Sequence, residues 1–198
     1  MRVANDLVLA ASPPIGQSAC ISDVAGDRVT TQLGEVVIAK AIPKDAADVL
    51  RLRDTLASWM VESGIDQWRP GEMPLAWIEV CAAQGWVFVA RHNGNVVGSV
   101  TLVWTDPLIW VGRDEPAGYI HMLMVDRAYA HAGLGLALLG WAELQILRTG
   151  RRRARLDCVR DNAVLRAYYE HAGYMLVGYR NFAVGIPDVA LYEQLLGD

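Results

Sequence analysis

Cysteine, long apolar runs and an excess of positive charge are all scarce in this 198-residue chain. Its three cysteines, Cys20, Cys81 and Cys158, stand far apart, are odd in number and form no Cys-x-x-Cys pair, which argues against a disulfide framework and a zinc cluster. A reducing, cytoplasmic setting is the expectation. No apolar stretch reaches the ~20 residues of a membrane-spanning helix; the most apolar helix-like run, Leu134 to Leu147, is short and carries Glu143. Leu7 to Ala11 falls below the ~7–15 residues of a signal-peptide core, so no cleaved leader is expected. With 18 basic against 22 acidic residues and a net charge of −4, the chain lacks the basic excess from which a DNA-binding protein draws its affinity. Anions held by backbone amides remain compatible with that charge.

What is present suits one globular domain: hydrophobic residues make up 53% of the chain, and a chain of this length buries roughly 70% of its unfolded surface without disulfides or a structural metal. Residues 1–34 show no sustained period and contain Pro13-Pro14, Gly16, Gly26 and Gly34, which predicts a loosely structured extension ahead of a domain over 35–198. Val36 to Ile38 reads as a strand. Pro43-Lys44-Asp45 opens a helix with Val49, Leu52, Leu56, Trp59 and Met60 at helical spacing, and Gly64 ends it. A loop, Ile65 to Gly71, leads to a second helix over Pro74 to Gln84. Two β-rich runs then flank Asn93-Gly94, a strong hairpin signal.

Further along, Tyr119 to Val125 is of strand length. Gly133 to Arg148 reads as a helix with Leu134, Ala137, Leu138, Trp141, Leu144 and Ile146 mostly inward, stopped by Gly150. A strand over Arg155 to Val159, a helix over Asn162 to His171 stopped by Gly173, and strands over Tyr174 to Tyr179 and Val189 to Leu196 complete the chain. This order predicts an α/β (α+β) fold with a mixed, mostly antiparallel central sheet flanked by helices.

The segment Tyr119 to Leu139 carries the chemistry. A buried strand, a turn of small residues and a helix starting at Gly133-Leu134-Gly135 present unpaired amides and the positive end of a helix dipole to one point, an arrangement suited to pyrophosphate. Taken alone, the glycines read first as a means of packing the helix tightly on the sheet. A nucleoside-triphosphate loop would need Gly-Lys-Ser/Thr where Leu136-Ala137 stands, and the dinucleotide fingerprint would need Gly or Ala where Leu138 stands. Downstream, Asn162 is placed to cap a helix, and Tyr169 lies two turns on along the same face. Its phenol is a proton donor or simply a core aromatic.

Together these segments resemble the GNAT superfamily of acyl-CoA-dependent N-acyltransferases. Ala130-His131-Ala132-Gly133-Leu134-Gly135 keeps both glycines of the family's Arg/Gln-x-x-Gly-x-Gly/Ala motif, and Asn162, Tyr169, Gly173 and Tyr174 match its Asn-x(6)-Tyr-x(3)-Gly-Phe spacing. The resemblance implies acetyl-CoA as co-substrate and no metal. It implies that the backbone of Ala130, His131, Ala132, Gly133, Leu134, Gly135 and Leu136 holds pyrophosphate, that Met124 and Val125 pair with the pantetheine arm, that Asn162 contacts that arm, and that Tyr169 protonates the leaving thiolate. Ala130 departs from Arg/Gln, with His131 and Arg127 as candidates to compensate.

The amine must lose a proton, and His121, which matches the second histidine of family members acting on arylalkylamines, is the candidate base; a satisfied strand histidine is the alternative. Asp66, Gln67 and Trp68 in the first interhelical loop, with Tyr119, are the candidate acceptor contacts, and Trp77, Trp104 and Trp110 stand in nearby segments. Six arginines between Arg148 and Arg160 read as a solvated helix end or as a docking patch. The expected function is acetyl transfer to a small primary amine, with an acyltransferase using carrier-protein- or tRNA-bound groups, or an acyl-CoA-sensing module, as alternatives. The expected partners are the amine and a second copy in a homodimer, with neither DNA nor membrane.

Overall fold

The computed structural model describes residues 26–183 and 187–197. The proline-rich segment and Cys20 lie outside the described residues. Eight strands form an open mixed sheet in the order β1-β2-β3-β4-β5-β6-β8-β7. They are β1 (Asp27–Thr31), β2 (Gly34–Lys40), β3 (Val87–His92), β4 (Asn95–Val103), β5 (Gly118–Val125), β6 (Arg153–Val159), β7 (Met175–Arg180) and β8 (Val189–Leu195). The helices are α1 (Ala46–Glu62), α2 (Leu75–Ala83), α3 (Leu134–Arg148) and α4 (Ala163–His171). No helix among the described residues is long and apolar enough to cross a membrane.

The chain divides into two compact units, one holding residues 26–102 and 122–144, the other 103–121 and 145–197. In the first, β1 to β4 run antiparallel in chain order. Asn93 and Gly94 both have positive φ, 50° and 81°, the mirror-image turn that matches strand twist. Asp45 closes a 3-10 turn over Pro43–Asp45 directly ahead of α1 by accepting the Ile42 amide at 3.1 Å. Val49, Leu52 and Leu56 then recur on one buried face, and Gly64 at φ 73° ends the run. Phe88 and Trp141 pack with their rings tilted by 57° and centroids 4.7 Å apart. Gly98 is required by packing: a Cβ there would stand 2.9 Å from Leu138 and 3.0 Å from the Met124 carbonyl oxygen.

The sheet begins earlier than the sequence pattern suggests. β1 pairs with β2 from Asp27↔Ile38 to Thr31↔Gly34, and Trp141 Nε1 donates to Asp27 at 2.7 Å. Residues 27–34, expected in a loose extension, therefore form a packed hairpin. Leu144, expected inward, is 56% exposed, because it falls off the stripe formed by Leu134, Leu138, Trp141 and Ile146.

In the second unit β5 and β6 run parallel over Gly118–Ile120 and Ala154–Leu156, while β8 lies antiparallel to both β6 and β7. Trp110, Ala117, Tyr119, Val189 and Leu191 form its apolar cluster. Arg155, fully buried, runs through it. Its Nε donates to Glu193 at 2.8 Å, Nη2 to Glu115 at 2.6 Å, and Nη1 to the Arg113 carbonyl at 2.9 Å and the Tyr119 hydroxyl at 3.0 Å. A buried guanidinium is tolerated only with this degree of pairing.

Candidate active site

The turn into α3 is bent twice into the left-handed region, at His131 (φ 65°) and Gly133 (φ 77°). Gly133 needs its lack of a side chain for that backbone and not for space, since a Cβ there meets no atom within 4 Å. Ala137 N–H is bonded to the Gly133 carbonyl at 3.0 Å, so the amides of Leu134, Gly135 and Leu136 precede the helical ladder, at the positive end of the dipole. Leu134 is buried, whereas His131, Gly133 and Leu136 are exposed and Ala130, Ala132 and Gly135 half-buried. The arrangement fits an anion approached through open space. Arg127, expected as a side-chain substitute for the missing Arg/Gln, instead lies over Trp59, 4.1 Å from the ring centre.

β5 supplies the next parts. Met124 is buried and Val125 half-buried, and the registered pairing with β6 ends at Ile120↔Leu156. Met122, at φ 47°, breaks the strand's alternation directly after His121, a strained conformation of the kind that accumulates at functional sites.

His121 follows from register. Tyr119 opposes Arg155, so two residues on, with the same facing, come His121 and Asp157. Asp157 Oδ1 stands 3.7 Å from His121 Nδ1, and Asp106 Oδ2 stands 3.3 Å from Nε2 on the other side. Asp106, from the loop after β4, is itself fixed because its Oδ1 accepts the Ile109 amide at 3.1 Å. Burial acts to lower the His121 pKa, but pairing with Asp106 and the charge of Asp157 outweigh it and raise the imidazole above its ordinary value. Asp157 is pushed up to about 6 by burial, with the charge of Asp106 adding to the effect and His121 opposing it.

Tyr169 completes this group from α4, whose start is capped by Asn162 Oδ1 accepting the Leu165 amide at 3.0 Å. Tyr169 is buried among the rings of Tyr168, Tyr174 and Tyr192. Burial first, then nearby Cys158 and Asp157, raise its pKa, so the phenol keeps its proton at neutral pH. Burial pushes both Cys81 and Cys158 up to about 12, which leaves neither as a thiolate nucleophile.

The expected acceptor residues fall in different settings. Asp66 pairs with Arg69 at 3.1 Å. Trp68 is half-buried, with the Arg53 guanidinium 5.6 Å from its ring centre. Arg53 is buried in α1 and donates to the Arg69 carbonyl at 2.7 Å and to Asp54 at 2.9 Å, which holds this loop in place. Gln67 Oε1 is buried without a partner. Tyr119 is a core residue with its hydroxyl on Arg155, Trp110 lies in the same core, and Trp104 is covered by Arg151 at 4.7 Å. Of the six arginines Arg155 alone is buried, Arg151 and Arg153 are half-buried and Arg148, Arg152 and Arg160 are exposed; Arg152 donates to the Leu196 and Gly197 carbonyls, and Arg153 and Arg155 pair with Glu193.

The model of the acetyltransferase (GNAT) family matches residues 53–174. The chain belongs to the GNAT family of acetyltransferases. It is 33% identical over 148 residues to the Bacillus subtilis protein called uncharacterized N-acetyltransferase YesJ, covering 70% of this chain and 81% of that one. A Listeria monocytogenes GNAT acetyltransferase structure is 25% identical with a TM-score of 0.73, covering 86% of this chain and all of that one. The Salmonella typhimurium acetyltransferase yncA, solved with acetyl-CoA, shares the fold at 19% identity and a TM-score of 0.59, covering 82% of this chain and 95% of that chain. Within this GNAT chain, Asp106, Asp157 and Arg53 carry roles that sequence reasoning missed. The available signal was polarity out of place: an aspartate inside the apolar run Leu156 to Val159 and an arginine on the buried face of α1.

Proposed function

We propose that this GNAT protein moves the acetyl group of acetyl-CoA to a primary amine of a small molecule by direct transfer in a ternary complex. The observation that carries the reading is the grouping of His121, Asp157 and Tyr169, an acid–base set in the second unit.

Acetyl-CoA supplies an activated thioester when bound. The amides from Ala130 to Leu136 would hold its pyrophosphate, the main chain of Met124 and Val125 its pantetheine arm, and Asn162 would add its amide group, since only its Oδ1 is used in capping. His121 and its carboxylate partners accept the proton that the acceptor must lose. Tyr169, protonated at working pH, donates from its hydroxyl to the departing sulfur. The backbone amides around the Met122 bend are suited to a developing oxyanion. The high thiol pKa values of Cys81 and Cys158 favour this route over an acyl-enzyme.

The test is a thermal-shift titration with acetyl-CoA followed by free-thiol release over a panel of primary amines. Stabilisation together with amine-dependent thiol release is expected. Absence of stabilisation refutes donor binding, and stabilisation with no thiol release from any amine favours an acyl-CoA sensor.

A further inference from the structure

Asp157 is an unusual carboxylate. Its side chain is 16% exposed, and its one charged contact, His121 Nδ1 at 3.7 Å, is beyond hydrogen-bond length. No hydrogen bond occupies its oxygens among the described residues. Across the imidazole, Asp106 Oδ2 is buried and likewise has no hydrogen-bond donor beyond its 3.3 Å ion-pair contact with Nε2. The groups facing Asp157 are His121 from β5, Asp106 from the loop after β4, Tyr169 from α4 and its own neighbour Cys158. The last two are neutral at pH 7. Two carboxylates share one imidazolium, so the group retains one negative charge where little water can reach it.

Charges in such places are paired. A primary ammonium supplies one positive charge and three donors, which matches the residual charge and the vacant carboxylate lone pairs. We propose that Asp157 anchors the ammonium of the acceptor and is the first group to receive its proton, with Asp106 as a positioning residue that holds the His121 ring. This rests on the acetyl-transfer reading above. In the step, one N–H bond of the ammonium breaks and an O–H bond forms on Asp157; the nitrogen keeps the electron pair, giving a neutral amine and a carboxylic acid. Burial favours that neutral acid, and once the His121 imidazolium has released its own proton to solvent the acid can return its proton to the ring. The acceptor class is thereby restricted to amines that are cationic in water and carry a transferable proton, with quaternary ammonium excluded from turnover.

The test compares the wild-type protein, saturated with CoA, with Asp157→Asn and Asp157→Glu. Phenethylamine and butylamine serve as cationic probes and phenethyl alcohol as a neutral control of similar shape, with binding followed by NMR at pH 7 and turnover followed by thiol release. Asp157→Asn is expected to weaken binding of both amines about 10–100-fold, the factor attached to a charge-assisted hydrogen bond. The alcohol should bind unchanged, and the acetyl-CoA thermal shift should persist as proof of folding. Asp157→Glu should recover part of the loss. In kcat/KM for phenethylamine, the acidic limb near pH 6 should disappear in Asp157→Asn.

Equal losses for amine and alcohol would indicate a merely structural role and overturn the proposal. So would undiminished amine binding in Asp157→Asn, absence of any wild-type preference for ammonium over alcohol, or activity that chelation removes and a divalent cation restores. Because the binding titration needs no turnover, it reads the anchor even if thiol release fails and the acetyl-transfer reading falls.

Discussion

Replacing Gly133 by alanine separates the two demands placed on the turn into α3. At φ 77° an L residue costs about 1–2 kcal/mol. In a chain of this size each kcal/mol moves the melting midpoint by roughly 2–4 °C, so the free protein should melt about 2–8 °C lower. A Cβ at this position meets no protein atom within 4 Å, so no steric clash adds to that figure. The new methyl instead enters the open space assigned to the donor's pyrophosphate. Acetyl-CoA at 100 times its dissociation constant stabilises the wild type by about 2.7 kcal/mol, or about 5–11 °C. A tenfold weakening reduces this to about 1.4 kcal/mol, or about 3–6 °C, at the same concentration. Differential scanning fluorimetry with and without acetyl-CoA measures both effects. Gly140→Ala provides the control: nothing lies within 4 Å of its Cβ either, and in the interior of α3 alanine should stabilise by roughly 0.5–1 kcal/mol without touching the ligand shift. An undiminished acetyl-CoA shift in Gly133→Ala would refute the assignment of this turn to the donor.

Tyr169→Phe keeps the aromatic packing and removes the proton donor; kcat should fall about 10²-fold or more with acetyl-CoA affinity retained, and wild-type turnover would remove Tyr169 from the chemistry. Stability should vary with pH in a defined sense. The raised Asp157 pKa, from 3.8 to about 6, makes ionisation oppose folding, a penalty absent below 3.8 and complete above about 6. The raised His121 pKa gives support that is present below 6.5 and lost as pH climbs through its folded value. Urea midpoints should therefore decline from pH 5 to pH 8 and decline less in Asp157→Asn; identical slopes would contradict the burial argument. Arg155→Ala removes one of the two arginines paired with the buried Glu193, leaving Arg153, and should lose about 3 kcal/mol in urea unfolding, a loss under 1 kcal/mol being inconsistent with the pairing described. A chain starting at Glu35 should melt below one starting at Gly26, because it loses β1 and the Asp27–Trp141 bond; equal midpoints would make the hairpin dispensable.

Most of the fold was legible because its signals are local. Asn93-Gly94, Gly150 and Gly173 mark turns by needing positive φ, and Asn162 marks a helix start by offering a short acceptor. β1 escaped because Asp27–Thr31 has no apolar alternation to display. What secures it is pairing with β2 and one side-chain bond to α3, both invisible until the chain is folded. Leu144 misled in the opposite way, being apolar on a helix that has more leucine than its buried face can take.

The site divides along the same line. Backbone-borne chemistry, such as the Gly133 turn, is written in residue types that only a particular φ explains, so the motif and the geometry coincide. Carboxylate chemistry is written in context. The 22 acidic residues of this chain look alike in sequence, and Asp66 drew attention by its loop position although it pairs with Arg69. Asp106 and Asp157 become distinctive only through a parallel register that places Asp157 beside His121 and a loop that brings Asp106 to the ring's other edge. A charge placed inside an apolar strand must be compensated, so each such residue is a question about its partner. Arg155 answers that question within the protein, through Glu193, Glu115 and Tyr119. Asp157 lacks an equivalent internal answer, and that difference between two residues of one strand separates a core ion pair from a candidate substrate anchor.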